Sequence, residues 1–238
     1  MDGVALRLHG PLQAWGGPTI GDNRPTLSFP TRSGVLGLVA ACLGIRRAEQ
    51  GRLLALADGA RVHIRVDSPG VPMVDDQTIQ DNPNASETRQ TIQSKRTYLC
   101  DASFVAVVVP GASSTVAAIA AAIAAPVFSP SLGRRCCPPS LPLLASALVT
   151  GNDPLELFES VPREPLELIS QSSATDEADY YLDVDDHPRR VRRLPLRDNL
   201  AGPLPRQFRE RMVVHVRGPI SPASHGAPID PWHIAELM

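Results

Sequence analysis

The sequence is poor in several residue types whose abundance would indicate a particular class of protein. Aromatic residues make up 4% of the 238-residue chain, so a binding surface built mainly on base stacking is not expected. Lys95 is the only lysine among the 23 basic residues, which leaves arginine to supply the positive charge. The four cysteines form no CxxC pair, and the adjacent Cys136 and Cys137 cannot easily ligate one metal together, so the pattern does not indicate a zinc site.

Targeting and membrane signals are also missing from the sequence. The N-terminus, MDGVALRLHG, has neither a basic segment nor a long apolar run, and no apolar stretch reaches the length of a membrane span without a proline or a charge. We therefore expect a reduced, cytoplasmic protein that has no membrane contact, no metal and no cofactor.

Charge is distributed unevenly although the formal net charge is only -2. Residues 153–186 contain eleven acidic side chains and one basic side chain, whereas residues 187–217 contain nine arginines and two acidic side chains. Such a split predicts a local basic face on a nearly neutral protein.

The chain is organised around residues 24–45, RPTLSFPTRSGVLGLVAACLGI. Apolar residues at helical spacing predict a helix over 33–43, with Ser33 as the N-cap and Gly44 at its end. Glycine is costly in the first turns of a helix unless another backbone comes close, and Gly34 and Gly37 lie there. The segment is either an anion site at a helix N-terminus, with Arg24, Thr31 and Arg32 beside it, or a capped core helix with solvated arginines.

Hydrophobic periodicity predicts the other elements of the N-terminal half. Strands are expected at 4–8, 61–66 and 97–109, helices at 48–57 and 114–125, and a short strand at 127–128; His63 is expected on the solvated face of its strand. Residues 67–96 are polar and too long for an ordinary connection, so they indicate a projecting hairpin with arms at 71–79 and 91–97, or a disordered insertion.

The resulting βαββαβ order is typical of a ferredoxin-like or RRM-type domain, which we place at residues 1–135. Residues 136–238 are expected to form a smaller β-rich C-terminal lobe, with a helix at 154–160 and strands at 166–170, 180–184 and 212–217. The fold class predicted is therefore α+β.

Two loops contain residues suited to ligand binding. Gly133 allows a close backbone approach, and the neighbouring Arg134 and Arg135 suit a phosphate, although a solvated loop is the alternative. Trp15 is a candidate for base stacking, but a tryptophan that pins its loop to the core is the interpretation we favour.

Five stretches taken together resemble one known family: LRLHGPLQAWG, RPTLSFPTRSGVLGLVAACLGI, TYLCDASF, SPSLGRRCCPPSLPLL and LPRQF. Their sequence and order resemble the CasD family of the CRISPR-associated RAMP superfamily, the type I-E Cascade subunit that holds the crRNA 5′ handle. The resemblance extends from residue 6 to about residue 214.

The resemblance implies an RRM-like (RAMP) domain with a protruding β-hairpin thumb and a small C-terminal lobe. It also implies crRNA as a partner, together with the backbone subunit CasC, the large subunit CasA and, indirectly, target DNA. Arginines would contact phosphates, Gln13 and Trp15 would line the handle path, and Lys95 and Arg96 would meet the handle at the base of the thumb. The RNA-binding residues implied are Gln13, Trp15, Arg24, Thr31, Arg32, Ser33, Gly34, Lys95, Arg96, Gly133, Arg134, Arg135 and Arg206.

Two alternatives remain open from the sequence. Relatives in another CRISPR subtype cut pre-crRNA without a metal, using a tyrosine and an adjacent Lys-His pair. Here Lys95 is followed by Arg96, which is too basic to act as a general base, and His9 and His63 have no evident partner, so we expect no catalysis. The first alternative is nonetheless an endoribonuclease that uses Tyr98, Lys95 and a histidine; the second is an assembly module whose basic segment, 189–217, binds an acidic protein.

Overall fold

The computed structural model describes residues 1–17, 19, 21–80, 91–163, 176–198 and 209–220. In these residues the elements follow one another as β1 (Asp2–His9), β2 (Leu12–Gln13), β3 (Asn23–Arg24), α1 (Arg32–Cys42), α2 (Gln50–Ala57), β4 (Arg61–Ser68), β5 (Val71–Gln80), β6 (Thr91–Cys100), β7 (Ser103–Val109), α3 (Val116–Ala124), β8 (Leu144–Thr150), a 3₁₀ helix (Glu156–Phe158), β9 (Glu177–Leu182), β10 (Arg190–Asp198) and β11 (Arg209–Pro219). No helix among them is long and apolar enough to cross a membrane.

A seven-stranded sheet with the order β10-β11-β9-β4-β7-β1-β8 forms the centre of the fold. Its neighbouring strands are antiparallel, with β7 between β1 and β4. The continuous apolar run of β7 predicts this central position, because both faces of the strand are covered. The structure therefore combines a few helices with a large antiparallel sheet, in agreement with the α+β class predicted from the sequence.

The C-terminal strands extend the sheet begun by the N-terminal half. Strand β9 pairs with β4, where Tyr181 lies opposite Ile64, and β11 and β10 follow outward. No break in the sheet coincides with the boundary expected near residue 135.

The two faces of the sheet are covered by different elements. Along β7, Phe104 and Ala106 belong to the larger apolar cluster, which the three helices cover. Val105 and Val107 belong to a second cluster with Leu157 of the 3₁₀ helix. This alternation follows from the two-residue period of a strand.

A smaller sheet is built around β6, which pairs with β2 and β3 as well as with β5. Strands β5 and β6 form an antiparallel hairpin from the pair Val71 and Cys100 to the pair Gln80 and Thr91. Both arms predicted from the sequence are therefore strands, and the second one continues three residues beyond the predicted end. The intervening residues 81–90 lie outside the described residues.

The N-cap of α1 is Thr31, so the prediction of Ser33 is wrong. Thr31 is extended, and its hydroxyl accepts a hydrogen bond from the Gly34 backbone N–H at 3.1 Å. Ser33 is instead the second residue of the helix. The predicted end is confirmed, because Gly44 follows Leu43 with a φ of +70°, the left-handed conformation common at helix ends.

Several other predictions differ from the structure. Residues 127–128 are not a strand, because the backbone N–H groups of Val127 and Phe128 donate to the last carbonyls of α1. His63 is fully buried rather than solvated, and its Nδ1 accepts a hydrogen bond from the Asp183 N–H, just after β9. The second helix begins at Gln50, and the helix expected at 154–160 shortens to one 3₁₀ turn.

Strands β8 and β10 were not predicted, and β9 begins three residues before its predicted start. The strand at 212–217 is confirmed within β11. The strand expected at 166–170 lies outside the described residues.

Candidate nucleic-acid interface

A cleft of about 480 Å³ opens at the start of α1. Four segments form it: the loop after β2, the end of β3, the first turns of α1 and the loop before Arg134. It brings together many of the residues singled out from the sequence, namely Trp15, Arg24, Thr31, Ser33, Gly34, Gly133 and Arg134.

Gln13 and Trp15 support one wall of this cleft. The Gln13 side chain is fully buried, and its amide donates to the carbonyls of Leu8 at 3.0 Å and Ala102 at 2.7 Å. Its Oε1 accepts from the Trp15 indole N–H at 2.9 Å. Gln13 therefore fixes the loop from below, and the expectation that it contacts a ligand is not met, because its amide hydrogen bonds are formed within the chain. Trp15 is 1% exposed and pins its loop, as favoured from the sequence.

Trp15 explains the glycine at the third position of α1. A Cβ on Gly34 would lie 3.1 Å from Trp15 Cε3 and 3.0 Å from the Thr31 hydroxyl. The group that comes close to Gly34 is thus an indole of the same chain, whereas the sequence had suggested another backbone. Gly37, one turn further along α1, also lines the cleft.

Position 133 requires a glycine, because two loops approach each other there and leave no room for a side chain. Its φ is +92°, and a Cβ built on it would lie 1.7 Å from the Ala14 carbonyl oxygen. The Ala14 N–H donates to the Leu132 carbonyl at 3.0 Å. The backbone that approaches Gly133 is therefore that of the loop after β2, and the contact fixes the width of the cleft.

Two arginines line the cleft, and backbone carbonyls hold both. Arg134 donates to the Thr97 carbonyl at 2.9 Å and the Arg24 carbonyl at 2.7 Å, and its guanidinium carbon lies 4.5 Å from the centroid of the Tyr98 ring. Arg24 donates to the Gly21 carbonyl at 2.9 Å. Within the described part of the chain neither arginine forms an ion pair with a carboxylate, so both positive charges are available to an anion.

The N-terminal end of α1 adds to the positive potential that the two arginines create in the cleft. Thr31 and Ser33 line the cleft at the positive end of the helix dipole. No acidic residue lies in the first turn of the helix. A helix N-terminus beside two uncompensated arginines favours a phosphate or another anion.

Lys95 and Arg96 continue the positive charge toward the hairpin. Strand β3 pairs with β6 in parallel, so Arg24 lies opposite Arg96 and Asn23 lies opposite Lys95. On the other side of β6, strand β5 places acidic residues opposite both of them, Asp75 and Asp76. Arg135 is exposed beside Arg134 and does not line the cleft.

Arg32 does not point into the cleft, although the sequence predicted a phosphate contact. Its guanidinium donates to the carbonyls of Ala57 and Ala60 and lies 3.3 Å from the Asp183 carboxylate. The side chain thus ties the start of α1 to the end of α2 and to the C-terminal half of the sheet. Arg206 lies outside the described residues.

Residues 176–198 and 209–220, which we call the C-terminal ribbon, hold a different set of arginines. Arg190 and Arg193 meet Asp186 at 2.7 and 3.1 Å, and Arg211 meets Asp183 at 3.1 Å. The His187 backbone N–H and the Arg190 guanidinium hold the pKa of the Asp186 carboxyl below its usual value. Carboxylates of the C-terminal ribbon therefore neutralise these three arginines.

Tyr98, Lys95 and His63, which were considered for RNA cleavage, do not face one place. The hydroxyl of Tyr98 lies 3.6 Å from Cys136 Sγ, and burial raises the pKa of that hydroxyl. Lys95 is exposed and, at an odd spacing along β6, points to the opposite face. His63 is buried in another strand, and burial lowers its pKa to about 4. Among the described residues, no three metal-ligating side chains cluster at one place.

Some residues of the cleft were not singled out from the sequence. Gly16 and Gly17 line it with φ values of +72° and +150°, conformations that favour glycine. The Gly-Gly pair after Trp15 is the signal that could have indicated this turn. Ser131 also lines the cleft and has no such signal.

Comparison with known proteins gives consistent matches over nearly the whole chain. The family model described as CRISPR-associated protein (Cas_Cas5) matches residues 3–217. The CRISPR system Cascade subunit CasD of Escherichia coli (strain K12) is 33% identical over 231 residues, covering 90% of this chain and 96% of that protein. A chain of a CRISPR RNA-guided surveillance complex is 29% identical with a TM-score of 0.70, covering 99% of this chain and 98% of that one. A crystal structure of a Cas protein is 28% identical with a TM-score of 0.66, covering 92% of this chain and 97% of that one.

Proposed function

The chain belongs to the CRISPR-associated protein (Cas_Cas5) family, and we propose that it is a non-catalytic crRNA-binding subunit of a type I-E Cascade surveillance complex in the cytoplasm. In this role it caps the crRNA 5′ handle, anchors the backbone subunit CasC and the large subunit CasA, and meets target DNA only indirectly. The strands β8, β1, β7 and β4 serve as its ferredoxin-like RAMP core, and the β5–β6 hairpin serves as its thumb.

The observation that carries this proposal is the pair of arginines at the start of α1. Arg24 and Arg134 are oriented by carbonyl oxygens and keep their full charge, and both line the same cleft as the α1 N-terminus. Phosphate contacts position a nucleic-acid strand on a protein, and the unstacked bases of single-stranded RNA are recognised locally. A cleft lined by small residues and bordered by fixed cations suits a sharply bent RNA backbone.

Basic residues extend from the cleft toward the thumb, and RNA could bind along them. Arg96 lies opposite Arg24 in the small sheet, and Lys95 is exposed one residue earlier on β6. We propose that the handle lies along this track and leaves it at the base of the hairpin. Arg135 flanks the same track, and a contact from Arg206 stays a prediction.

The direct test compares two arginines in a binding titration. Fluorescence anisotropy would measure binding of an RNA with the repeat-derived 5′ handle to wild type, to Arg24→Ala and to Arg47→Ala, which alters an exposed arginine between α1 and α2. Arg24→Ala should lower affinity roughly tenfold, the value of one charge-assisted contact, and reduce the salt slope by about 0.7. Equal effects of the two substitutions would contradict the placement of the RNA.

The absence of catalysis is tested separately. Purified protein would be incubated with repeat RNA in EDTA, and the products would be resolved at single-nucleotide resolution. The buried Tyr98 hydroxyl and the outward Lys95 predict intact RNA. Site-specific cleavage that is lost in Tyr98→Phe would overturn the proposal in favour of a pre-crRNA endoribonuclease.

A further inference from the structure

We propose that Cys136 and Cys137 are a redox modification site, a vicinal dithiol that a disulfide oxidant converts into a reversible disulfide. We further infer that this oxidation weakens RNA binding in the adjacent cleft. The second part rests on the proposed function, whereas the covalent step does not.

The two thiols follow Arg134 and Arg135 in the loop that borders the cleft. Their sulfur atoms are 4.0 Å apart, and both cysteines are free. Cys136 is exposed, while Cys137 is fully buried. The site thus pairs one sulfur that a dissolved oxidant can reach with a second sulfur directly behind it.

The difference in burial sets the order of reaction. Burial raises the pKa of the Cys137 thiol to about 12, so this thiol stays protonated at neutral pH. The exposed Cys136 reacts first, because only the thiolate attacks a disulfide. The oxidant in this proposal is glutathione disulfide.

The covalent step is balanced as two thiol–disulfide exchanges. The Cys136 thiolate attacks one sulfur of glutathione disulfide, which forms a mixed disulfide and releases one glutathione thiolate. That thiolate takes the Cys137 proton, and the Cys137 sulfur then attacks the Cys136 sulfur and displaces the second glutathione. The two cysteines are oxidised by two electrons, and one glutathione disulfide is reduced to two glutathione thiols.

Hydrogen bonds connect the dithiol to the arginine that lines the cleft. The Cys137 N–H donates to the Arg134 carbonyl at 2.9 Å, and the Leu132 N–H donates to the Cys137 carbonyl at 2.7 Å. Cys136 Sγ touches the hydroxyl of Tyr98, and the Tyr98 ring lies against the Arg134 guanidinium. A single turn of the chain therefore contains both thiols and Arg134, whose guanidinium lines the cleft.

Disulfide formation must disturb this turn. The sulfur atoms would move from 4.0 Å to about 2.05 Å apart, so Cys136 must leave Tyr98 or Cys137 must leave the core. The turn has little room to adjust, because Gly133 already touches Ala14. Adjacent Cα atoms lie about 3.8 Å apart, below the usual disulfide span, so the bond is strained and readily reduced by thiols.

The test follows mass and RNA affinity in the same samples. Wild type, Cys136→Ser and Cys100→Ser would be treated with glutathione disulfide and then with dithiothreitol; Cys100 is a partly exposed cysteine at the end of β6 and serves as the matched control. Wild type and Cys100→Ser should lose two hydrogens within the 136–137 peptide, and their Kd for handle RNA should rise roughly tenfold and recover on reduction. Cys136→Ser should stay insensitive to oxidation.

Other outcomes would overturn the inference. A stable glutathione adduct on Cys136, or a bond to Cys42 or Cys100, would refute the vicinal disulfide. A 136–137 disulfide with unchanged Kd would refute its coupling to the cleft. If the reduced protein failed to bind handle RNA, the proposed function would be wrong. The mass measurement would still show whether Cys136 and Cys137 form a disulfide.

Discussion

The cleft and the C-terminal ribbon are both rich in arginine, but their arginines have opposite kinds of partner. In the cleft, Arg24 and Arg134 donate to backbone carbonyls, which orient a guanidinium without cancelling its charge. In the ribbon, Arg190 and Arg211 donate to carboxylates, which cancel it. Arg24 and Arg134 therefore keep a charge that an anion can use, whereas Arg190 and Arg211 do not.

This difference shows that a run of basic residues in a sequence does not by itself predict where uncompensated positive charge lies. Residues 187–217 have the strongest basic bias of the chain, yet strand pairing places the acidic residues of β9 beside the basic residues of β11. Arg217 meets Glu177 and His215 meets Asp179 in this way. The cleft instead collects isolated arginines from distant segments.

The largest effect is expected from breaking the cleft while leaving the ribbon intact. Gly133→Ala places a Cβ on the Ala14 carbonyl at a positive φ, whereas Gly21→Ala has a positive φ and nothing within 4 Å. We expect Gly133→Ala to lower the free energy of unfolding by about 2–4 kcal/mol, and Gly21→Ala by about 1–2 kcal/mol from the backbone alone. Denaturant titration measures both, and equal losses would show that the loop contact is not tight.

A pH dependence is expected on the ribbon side of the sheet. His63 accepts from the Asp183 N–H, and burial lowers its pKa to about 4. Between pH 6.5 and 4 the unfolded chain binds a proton that the folded chain does not bind, so stability falls as the pH falls. The loss should reach roughly 2 kcal/mol by pH 5.

The control for this prediction is His63→Asn, which keeps an acceptor but cannot titrate. Unfolding free energies of wild type and variant would be compared at pH 7 and pH 5. The wild type should lose more stability than the variant over this range. Parallel curves would mean that another group titrates.

The smallest effect is expected from removing a carboxylate that pairs with arginines of the ribbon. This change tests whether the unpaired arginines then bind RNA. Asp186→Asn removes the carboxylate shared by Arg190 and Arg193, whereas Asp185→Asn changes the net charge equally beside it. Stability should change little, because exposed ion pairs contribute little to the free energy of unfolding. Non-specific RNA binding at low salt should strengthen a few-fold in Asp186→Asn only, and identical binding by the two variants would contradict neutralisation in the ribbon.

Much of the fold follows from local sequence signals. Periodicity predicted β1, β4 and β7, the helices α1 and α3, and both arms of the hairpin, because these elements bury apolar residues at a regular spacing. Strands β8 and β10 were missed, because they lie at the two edges of the large sheet and carry many exposed residues. The burial of His63 was missed, because its surroundings include Asp183, which lies 120 residues later in the chain.

The sequence indicated where the candidate site lies, but not what each of its residues does there. The arginines and glycines around α1 indicated an anion site, and the structure gathers most of them in one cleft. Whether an arginine faces the cleft depends on tertiary partners, as Arg32 shows by turning to Asp183. Side chains that line a site and those that support it, such as Gln13, have the same residue types in the sequence.

The most direct test measures the salt dependence of handle-RNA binding in two double variants that each remove two arginines. Arg24→Ala with Arg134→Ala alters the cleft, and Arg190→Ala with Arg217→Ala alters the ribbon. The slope of log K against log salt should decrease by about 1.4 for the cleft variant, two contacts at about 0.7 each, and should stay at the wild-type value for the ribbon variant. A reduced slope for the ribbon variant, with a wild-type slope for the cleft variant, would contradict the assignment of RNA binding to the cleft.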